Sequence, residues 1–503
     1  MRTRTRSRCC SGSTSATTGC EACCGTTGPS CSASTHERSP GVNAGTIRLA
    51  SAQGRWVLAA MILGSGMAFL DGSIVGLALP AMNADLDAGA AGVQWIVNAY
   101  TLTLAALILV GGSLGDRLGR RRVFVIGVVW FAAASVLCAA APTIEVLVAA
   151  RGLQGVGAAL LTPGSLAIIS ASFAPEDRGP AIGFWSGLSG VTTAIGPLVG
   201  GWLVDTTGWR GIFWINLPLA ALVVWIAIRH VPETSGDQDR IDYAGAGLTA
   251  AGLAALTYGL VEKSWLWGGA GLVLMVVFVV HQRLTPHTLV PLALFADRIF
   301  TAANICTFAI YGALAASGFL LVQQLQYVSG FSPLVAGLAS VPMTIIMLLF
   351  SARAGALGTR IGPRWPMTFG PLIAAVGLLL MLRIGEDASF WLDVLPASVV
   401  FGIGITTLVA PLTTAVLAAA PMQQTGIASG INNAVARTAS LLAVAAIPPI
   451  AGITGRDFDD PDVFGPGFDT GIVICAGMLV VAAACAVGLI RGSTVSPAAL
   501  RSE

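Results

Sequence analysis

Gly112-Ser-Leu-Gly-Asp-Arg-Leu-Gly-Arg-Arg-Arg122 holds four arginines, one aspartate and three glycines within eleven residues, between two apolar runs at 93–110 and 123–141. Each run has the length and apolarity of a membrane-spanning helix. Charge this dense has to leave the hydrocarbon, so the stretch reads as a turn, and its arginines favour the cytoplasmic side. Gly112, Gly115 and Gly119 suit a tight turn between closely approaching helices. Asp116 can face a helix N-terminus or an arginine, while Arg117 and Arg120–Arg122 can face helix C-termini or lipid phosphates. Taken alone, this is a positive-inside turn.

Composition agrees with a membrane protein. Of 503 residues, 55% are apolar and 10% charged, with a mean hydropathy of +0.80, where soluble domains carry about a quarter charged residues. Fourteen spans are read near 56–80, 93–113, 123–141, 145–171, 180–203, 211–230, 243–261, 266–281, 299–323, 333–356, 366–385, 391–419, 425–452 and 468–490. The net charge of +2 matters only through its distribution. Alternate connections hold Arg117 with Arg120–Arg122, Arg178, Arg229, Arg240, Arg283, Arg298, Arg360, Arg364 and Arg491. The opposite connections hold Asp85, Asp87, Glu145, Asp205, Glu262 and the acidic run 457–462, with Arg210, Lys263, Arg383 and Arg456 as exceptions. This alternation places both termini in the cytoplasm.

The opening stretch recurs. Gly355-Ala-Leu-Gly-Thr-Arg-Ile-Gly-Pro-Arg364 matches it at an offset of 243 residues, with Thr359 in place of Asp116. Gly183, Ser186 and Gly187 match Gly426, Ser429 and Gly430 at the same offset. Two matches at one offset predict two homologous six-span halves, 55–231 and 299–491, around a linker with two inserted spans at 232–298. Residues 1–54 read as a disordered Arg/Ser/Thr/Cys-rich cytoplasmic tail, and 492–503 as a second tail. The first tail has Cys20-x-x-Cys23 but no second pair at zinc spacing, so no metal site is read there. It also lacks the apolar core of a signal peptide.

Two charges lie deep in apolar spans. Asp71 sits where a charge costs roughly 2.5–3.5 kcal/mol, so it should be neutral, paired or facing water. Burial works against a carboxylate and a nearby guanidinium works for it, which suits a group that takes up and releases a proton. Arg151 in span 4 is the partner of opposite sign. In span 5, Pro197 removes a backbone hydrogen bond, and Gly196, Gly200 and Gly201 make a smooth, bendable face. Gln94, Asn98, Tyr100, Gln154, Asn304, Tyr311, Asn432, Asn433 and Arg437, with Gln323 and Gln324, are candidates for a substrate cavity. Any one of them alone more often bonds helix to helix than contacts a ligand. Two deep arginines against one deep carboxylate disfavour a dedicated cation pump and leave neutral or anionic amphiphiles open.

These motifs carry a family resemblance. Gly112–Arg122 resembles the loop 2–3 signature of the major facilitator superfamily. Leu70-Asp-Gly-Ser-Ile-Val-Gly-Leu-Ala-Leu-Pro80 resembles the span 1 signature of its fourteen-span drug:proton antiporter branch, with Gly76 where Asn is frequent. Arg151-Gly-Leu-Gln-Gly-Val-Gly-Ala-Ala159 resembles the span 4 motif implicated there in proton transfer. Gly196-Pro-Leu-Val-Gly-Gly201 resembles the antiporter motif, with Thr192 where the family usually has Gly. Trp209-Arg-Gly-Ile-Phe-Trp-Ile-Asn-Leu-Pro218 resembles the start of span 6, with Gly211 in place of Trp.

The resemblance implies an all-α integral membrane protein with the major facilitator fold, two six-helix halves plus two inserted helices, in a bacterial cell membrane and monomeric. It implies a proton-coupled exporter of small amphipathic compounds such as antibiotics, working by alternating access. Asp71 and Arg151 would couple protons; Gly112, Asp116, Arg117, Gly119, Arg120, Gly196, Pro197, Gly200 and Gly201 would serve conformational gating. The implied partners are a small-molecule substrate, protons and the lipid bilayer, with no nucleic acid and no cofactor beyond the proton gradient. A proton-coupled importer or a dedicated metabolite exporter of the same fold is the alternative. An intramembrane enzyme or sensor is disfavoured: His36, His230, His281 and His287 form no H-E-x-x-H motif, and Val261-Glu-Lys-Ser264 lacks the glycine spacing of a P-loop.

Overall fold

In hydrocarbon every backbone polar group must bond within its own segment, so apolar runs of this length fold as helices. A computed structural model of the chain describes residues 47–235, 242–285, 288–419, 425–454 and 460–490, and only the backbone of 186–187, 189–194, 352, 359 and 425–426. The Cys-rich segment to residue 46, Arg240, His287, the run 455–459 and the tail from 491 lie outside the described residues, as do the side chains at Thr192 and Thr359.

The helices, in chain order, are α1 (Ala52–Leu86), α2 (Gly89–Leu118), α3 (Arg120–Ala139), α4 (Ile144–Ser172), α5 (Pro175–Thr207), α6 (Gly211–His230), α7 (Tyr243–Val261) and α8 (Trp265–Leu284). They continue with α9 (Arg298–Val328), α10 (Pro333–Leu338 and Val341–Ile361), α11 (Arg364–Met381), α12 (Phe390–Ala418), α13 (Thr425–Ile450) and α14 (Pro461–Leu489). Thirteen are long and apolar enough to cross a membrane, and the 33-residue α5 is the remaining long helix of the series.

Two sequence expectations change. Gly112–Arg122 is not an eleven-residue turn: α2 runs on to Leu118, Gly119 alone breaks the helix at φ +104°, and α3 starts at Arg120. The residues before Gly119 include no proline or β-branched side chain, so nothing stops the helix until a residue that tolerates positive φ. Gly362, its counterpart at the second copy, has φ +82°. Nor does a disordered tail extend to residue 54. Residues 47–51 run along the α4–α5 connection, with Ile47 N–H donating to Ser172 O (3.2 Å) and Leu49 N–H to Asp177 Oδ2 (2.9 Å). Ser51 then caps α1 through Gly54 N–H.

α4 is central to the first six helices, touching α1, α2 and α3, while α1 also packs on α5 and α6. Among the last six, α9 packs on α13 and α14, α11 on α12 and α14, and α10 on α12. The α7–α8 hairpin stands apart: α7 lies against α2 and α13, covering the seam where they meet. Trp265, Leu272, Val276 and Val280 of α8 are exposed, the apolar-outward pattern that lipid requires.

Candidate functional site

Asp71 sits midway along α1 with its side chain 1% exposed, facing Arg151 of α4, also 1% exposed. Arg151 Nη1 donates to Asp71 Oδ2 at 2.5 Å and to Gln154 Oε1 at 2.5 Å, and its Nε donates to the Ile96 carbonyl at 3.1 Å. Gln154 Nε2 donates to Asp71 Oδ1 (2.9 Å), and Asn216 Nδ2 reaches the same oxygen at 3.5 Å. Ser135 Oγ accepts from Asn216 (2.9 Å) and Gln154 (3.3 Å). The guanidinium carbon lies 4.5 Å from the Tyr100 ring centroid, a cation–π contact. Side chains from α1, α2, α3, α4 and α6 thus close around one ion pair. Cutting either partner would strand a buried charge, at a cost of about 3–5 kcal/mol.

Asp71 and Arg151 come together as their opposite charges predict. Gln154, expected in a cavity, belongs to this cluster instead, because its amide is what fills the second carboxylate oxygen. Asn216 and Ser135 were not singled out from sequence. Asn216 lies inside the Trp209–Pro218 motif, which is the signal that pointed to it, whereas a lone serine in an apolar span carries none.

A second cluster surrounds Gly119. Asp116 and Arg120 form an ion pair at 2.8 Å, and Arg120 also donates to the Ala167 carbonyl of α4 at 3.3 Å. Glu233, beyond α6, accepts from Arg121 N–H (3.0 Å) and pairs with its guanidinium (3.5 Å), while Arg120 N–H donates to Thr234 O (2.8 Å). Glu233 supplies an acceptor for orphan N–H groups at the start of α3. It was invisible in sequence because it lies 112 residues from Arg121 in a polar linker. Arg117 is exposed and has no ion pair among the described residues. A Cβ at Gly112 would meet Pro163 at an ordinary 3.7 Å, so Gly112 is not a close-approach point here.

The glycines of α5 hold three helices together. A Cβ on Gly200 would come within 2.7 Å of Ile74 in α1, and one on Gly196 would strike Ser73. On α10, Leu334 Cα lies 2.5 Å from where a Gly201 Cβ would sit, and Pro197 O lies as close to Gly337. At the same end of α1, Asn83 Nδ2 donates to Tyr327 OH (3.1 Å) and Gln326 Nε2 to Leu77 O (3.1 Å). Gln323 reaches Gly76 O at 3.5 Å. The two helix groups are therefore closed on each other at the end remote from Gly119.

The other cavity candidates scatter. Asn432 donates to Asn304 (3.2 Å) and Thr307 (2.7 Å), bonds from helix to helix, and Gln324 to Ile384 O (2.8 Å) in the connection after α11. Tyr100 supports Arg151 and donates to Ala68 O at 3.3 Å. Gln94 and Asn98 are buried, with Gln94 Oε1 and both Asn98 amide atoms unpartnered. Gln94 lines a cavity of about 300 Å³ between the ends of α2, α7 and α13. Tyr311 is partly buried, Asn433 is exposed, and Arg437 reaches from α13 to within 5.7 Å of the Phe69 ring of α1.

Comparison with known proteins gives the family of the chain. The family model of the Major Facilitator Superfamily matches residues 61–444 and, overlapping them, 303–502. The multidrug resistance protein Stp of Mycobacterium tuberculosis (strain ATCC 25618 / H37Rv) is 38% identical over 388 residues, 74% of this chain and 71% of that protein. The probable actinorhodin transporter of Streptomyces coelicolor is 36% identical over 416 residues, covering 78% and 72%. The puromycin resistance protein pur8 of Streptomyces alboniger is 30% identical over 489 residues, covering 91% and 96%. In fold, the chain is similar to a D-xylose-proton symporter (TM-score 0.61, 16% identity, covering 86% of this chain and 97% of that one). It is similar also to a bacterial homologue of the lysosomal transporter Spinster (TM-score 0.64, 18% identity, covering 87% and 97%). A multi-pass helical architecture, a family match over most of its length and resistance-transporter relatives place this chain in the Major Facilitator Superfamily, as a membrane transporter and not an enzyme.

Proposed function

We propose that this chain is a proton-driven exporter of small amphipathic compounds, antibiotics among them, alternating between two six-helix halves with the α7–α8 pair inserted between. The observation that carries the reading is the dry Asp71–Arg151 pair, since an ionisable group inside a membrane transporter is by default part of its ion pathway. Protonation of Asp71 neutralises it and weakens its hold on Arg151, which frees α1 from α4. Since α1 also carries Gly76, Leu77 and Asn83, which make the far-end closure, the proton and that gate act on one helix. Relatives named for resistance to puromycin and for transport of actinorhodin support the export direction. So does the Gly196–Gly201 face that lets α5 close on α1 and α10. The arginine distribution supports an orientation with both termini and the Gly119 cluster in the cytoplasm and the gate closed by Tyr327 outside. No cofactor is needed: one proton crossing about 150 mV supplies about 3.5 kcal/mol, or about a 300-fold gradient of a neutral substrate. The working unit is one chain.

The test uses inside-out vesicles with an imposed pH gradient and a panel of puromycin, actinorhodin, tetracenomycin C and ethidium. Substrate-induced proton release from wild type, abolished by a protonophore and absent in Asp71→Asn, is expected. Exchange of substrate for substrate without a gradient should survive in Asp71→Asn. Equal proton-linked transport by Asp71→Asn would move the coupling site elsewhere, and proton uptake in the opposite sense would make the chain an importer.

A further inference from the structure

Arg437 is the charge that the coupling site does not use. It lies midway along α13, where an unpaired arginine is costly. Among the described residues it has no carboxylate partner, and its buried Nε has no hydrogen-bond acceptor. Its one side-chain contact of note is across the seam, with its guanidinium 5.7 Å from the Phe69 ring of α1.

The surroundings of this guanidinium are open. Gly72 and Gly76 follow Phe69 at helical spacing on one face of α1, and a Cβ at either would have nothing within 4 Å. On α13, Asn433 lies one turn from Arg437 on the same face and is exposed, although it sits in an apolar span. The neighbouring faces of α13 are occupied: Asn432 bonds to Asn304 and Thr307, and Ser440 bonds to the Tyr311 carbonyl at 3.4 Å. A row of Phe69, Gly72 and Gly76 therefore borders free space, with a cationic, hydrogen-bond-donating row of Asn433 and Arg437 beside it. Asp71, by contrast, turns away into α4, with both of its oxygens already occupied. A cationic drug finds no free carboxylate here.

Resting on the reading of the chain as an exporter, we infer that Arg437 is the specificity-determining residue of the substrate site and selects planar aromatic compounds bearing an acidic oxygen, a carboxylate or a phenolate. Its guanidinium has the fork geometry for such an oxygen. Phe69 offers a stacking face, and the absence of side chains at Gly72 and Gly76 leaves width for a fused-ring system.

The test separates binding from transport. Fluorescein and rhodamine 123 share a xanthene skeleton, the first anionic at pH 7.5 and the second cationic. Each is titrated by fluorescence anisotropy against purified wild type, Arg437→Gln, Arg437→Lys and Arg437→Glu in lipid nanodiscs, with empty discs subtracted. Wild type is expected to bind fluorescein in preference to rhodamine 123. Arg437→Gln should weaken fluorescein by about tenfold or more, the loss of one charge-assisted contact, and leave rhodamine 123 unchanged or tighter. Arg437→Lys should recover part of the loss and Arg437→Glu should reverse the preference. Each variant must elute as a single species, and recovery in Arg437→Lys shows that the site is otherwise intact. Fluorescein affinity that is absent in wild type, or equal in wild type and Arg437→Gln, overturns the inference. Failure of proton-linked export in inside-out vesicles, with Arg437-dependent fluorescein binding retained, would instead overturn the exporter reading and leave the anion site standing.

Discussion

A carboxylate and a guanidinium 2.5 Å apart in a membrane interior fix each other, and the neighbours decide how firmly. Gln154 and Asn216 fill the carboxylate oxygen that Arg151 leaves free, and Tyr100 backs the guanidinium. Removing one charge is therefore worse than removing both. Arg151→Ala should destabilise the protein by about 3–5 kcal/mol, and the double variant Asp71→Ala/Arg151→Ala by distinctly less. Thermal unfolding of purified protein in detergent measures the order. A double variant that unfolds at or below the temperature of Arg151→Ala would show the two charges to be uncoupled. Asp71 and Arg151 could be singled out from sequence because charges are rare in apolar spans. Their contact could not, because 80 residues and two whole helices separate them. Asn216 and Ser135 are neutral, and neutral polar residues in spans are common enough to hide.

At the scale of elements, the helices were legible and their ends were not. Apolar length places thirteen of the fourteen, but only the conformation at Gly119 shows that α2 carries the motif as helix to Leu118. Close approach makes α5 the element most sensitive to bulk. Gly201→Val would drive its side chain into Leu334 of α10, so the closed far end should be disfavoured. Spin labels placed on exposed α5 and α10 positions should report a longer mean distance in Gly201→Val than in wild type, and an unchanged distance would remove Gly201 from the gate. The α7–α8 hairpin has its own clasp. Asp242 caps α7 through Gly245 N–H (2.7 Å) and accepts from His281 (2.8 Å) and Gln282 (2.7 Å) of α8. Burial pushes its carboxyl up, but these donors outweigh burial and hold it below the usual carboxylate value. With the folded value depressed, its stabilisation is complete above the ordinary aspartate pKa of about 3.9 and fades as pH falls through the folded value. Asp242→Ala should therefore lower the unfolding temperature at pH 7, with the gap to wild type narrowing towards pH 3. An equal gap at both values would show that the charge of Asp242 contributes nothing.

For the whole molecule, closure at one end has to imply opening at the other. Among the described residues the polar contacts of the far-end seam include Asn83 with Tyr327 and the Gln323 and Gln326 amides on α1 carbonyls, beside the approach of α5 to α10. Each of these bonds is neutral and worth about 1 kcal/mol net, so the polar part of the closure amounts to a few kcal/mol, comparable with a change of charge at Asp71. In the proposed cycle that comparability would let one proton bias a movement of whole halves. The internal repeat at an offset of 243 residues made two halves readable, but which ends meet depends on contacts between residues such as Asn83 and Tyr327, 244 apart. In a background without the ten native cysteines, Asn83→Cys/Tyr327→Cys joined by a cleavable bismaleimide should stop proton-driven transport. Cleavage of the linker should restore it. Binding of substrate to the linked protein should persist, because the end near Gly119 stays free to open. Transport at the wild-type rate with the linker in place would show that this seam does not part during the cycle.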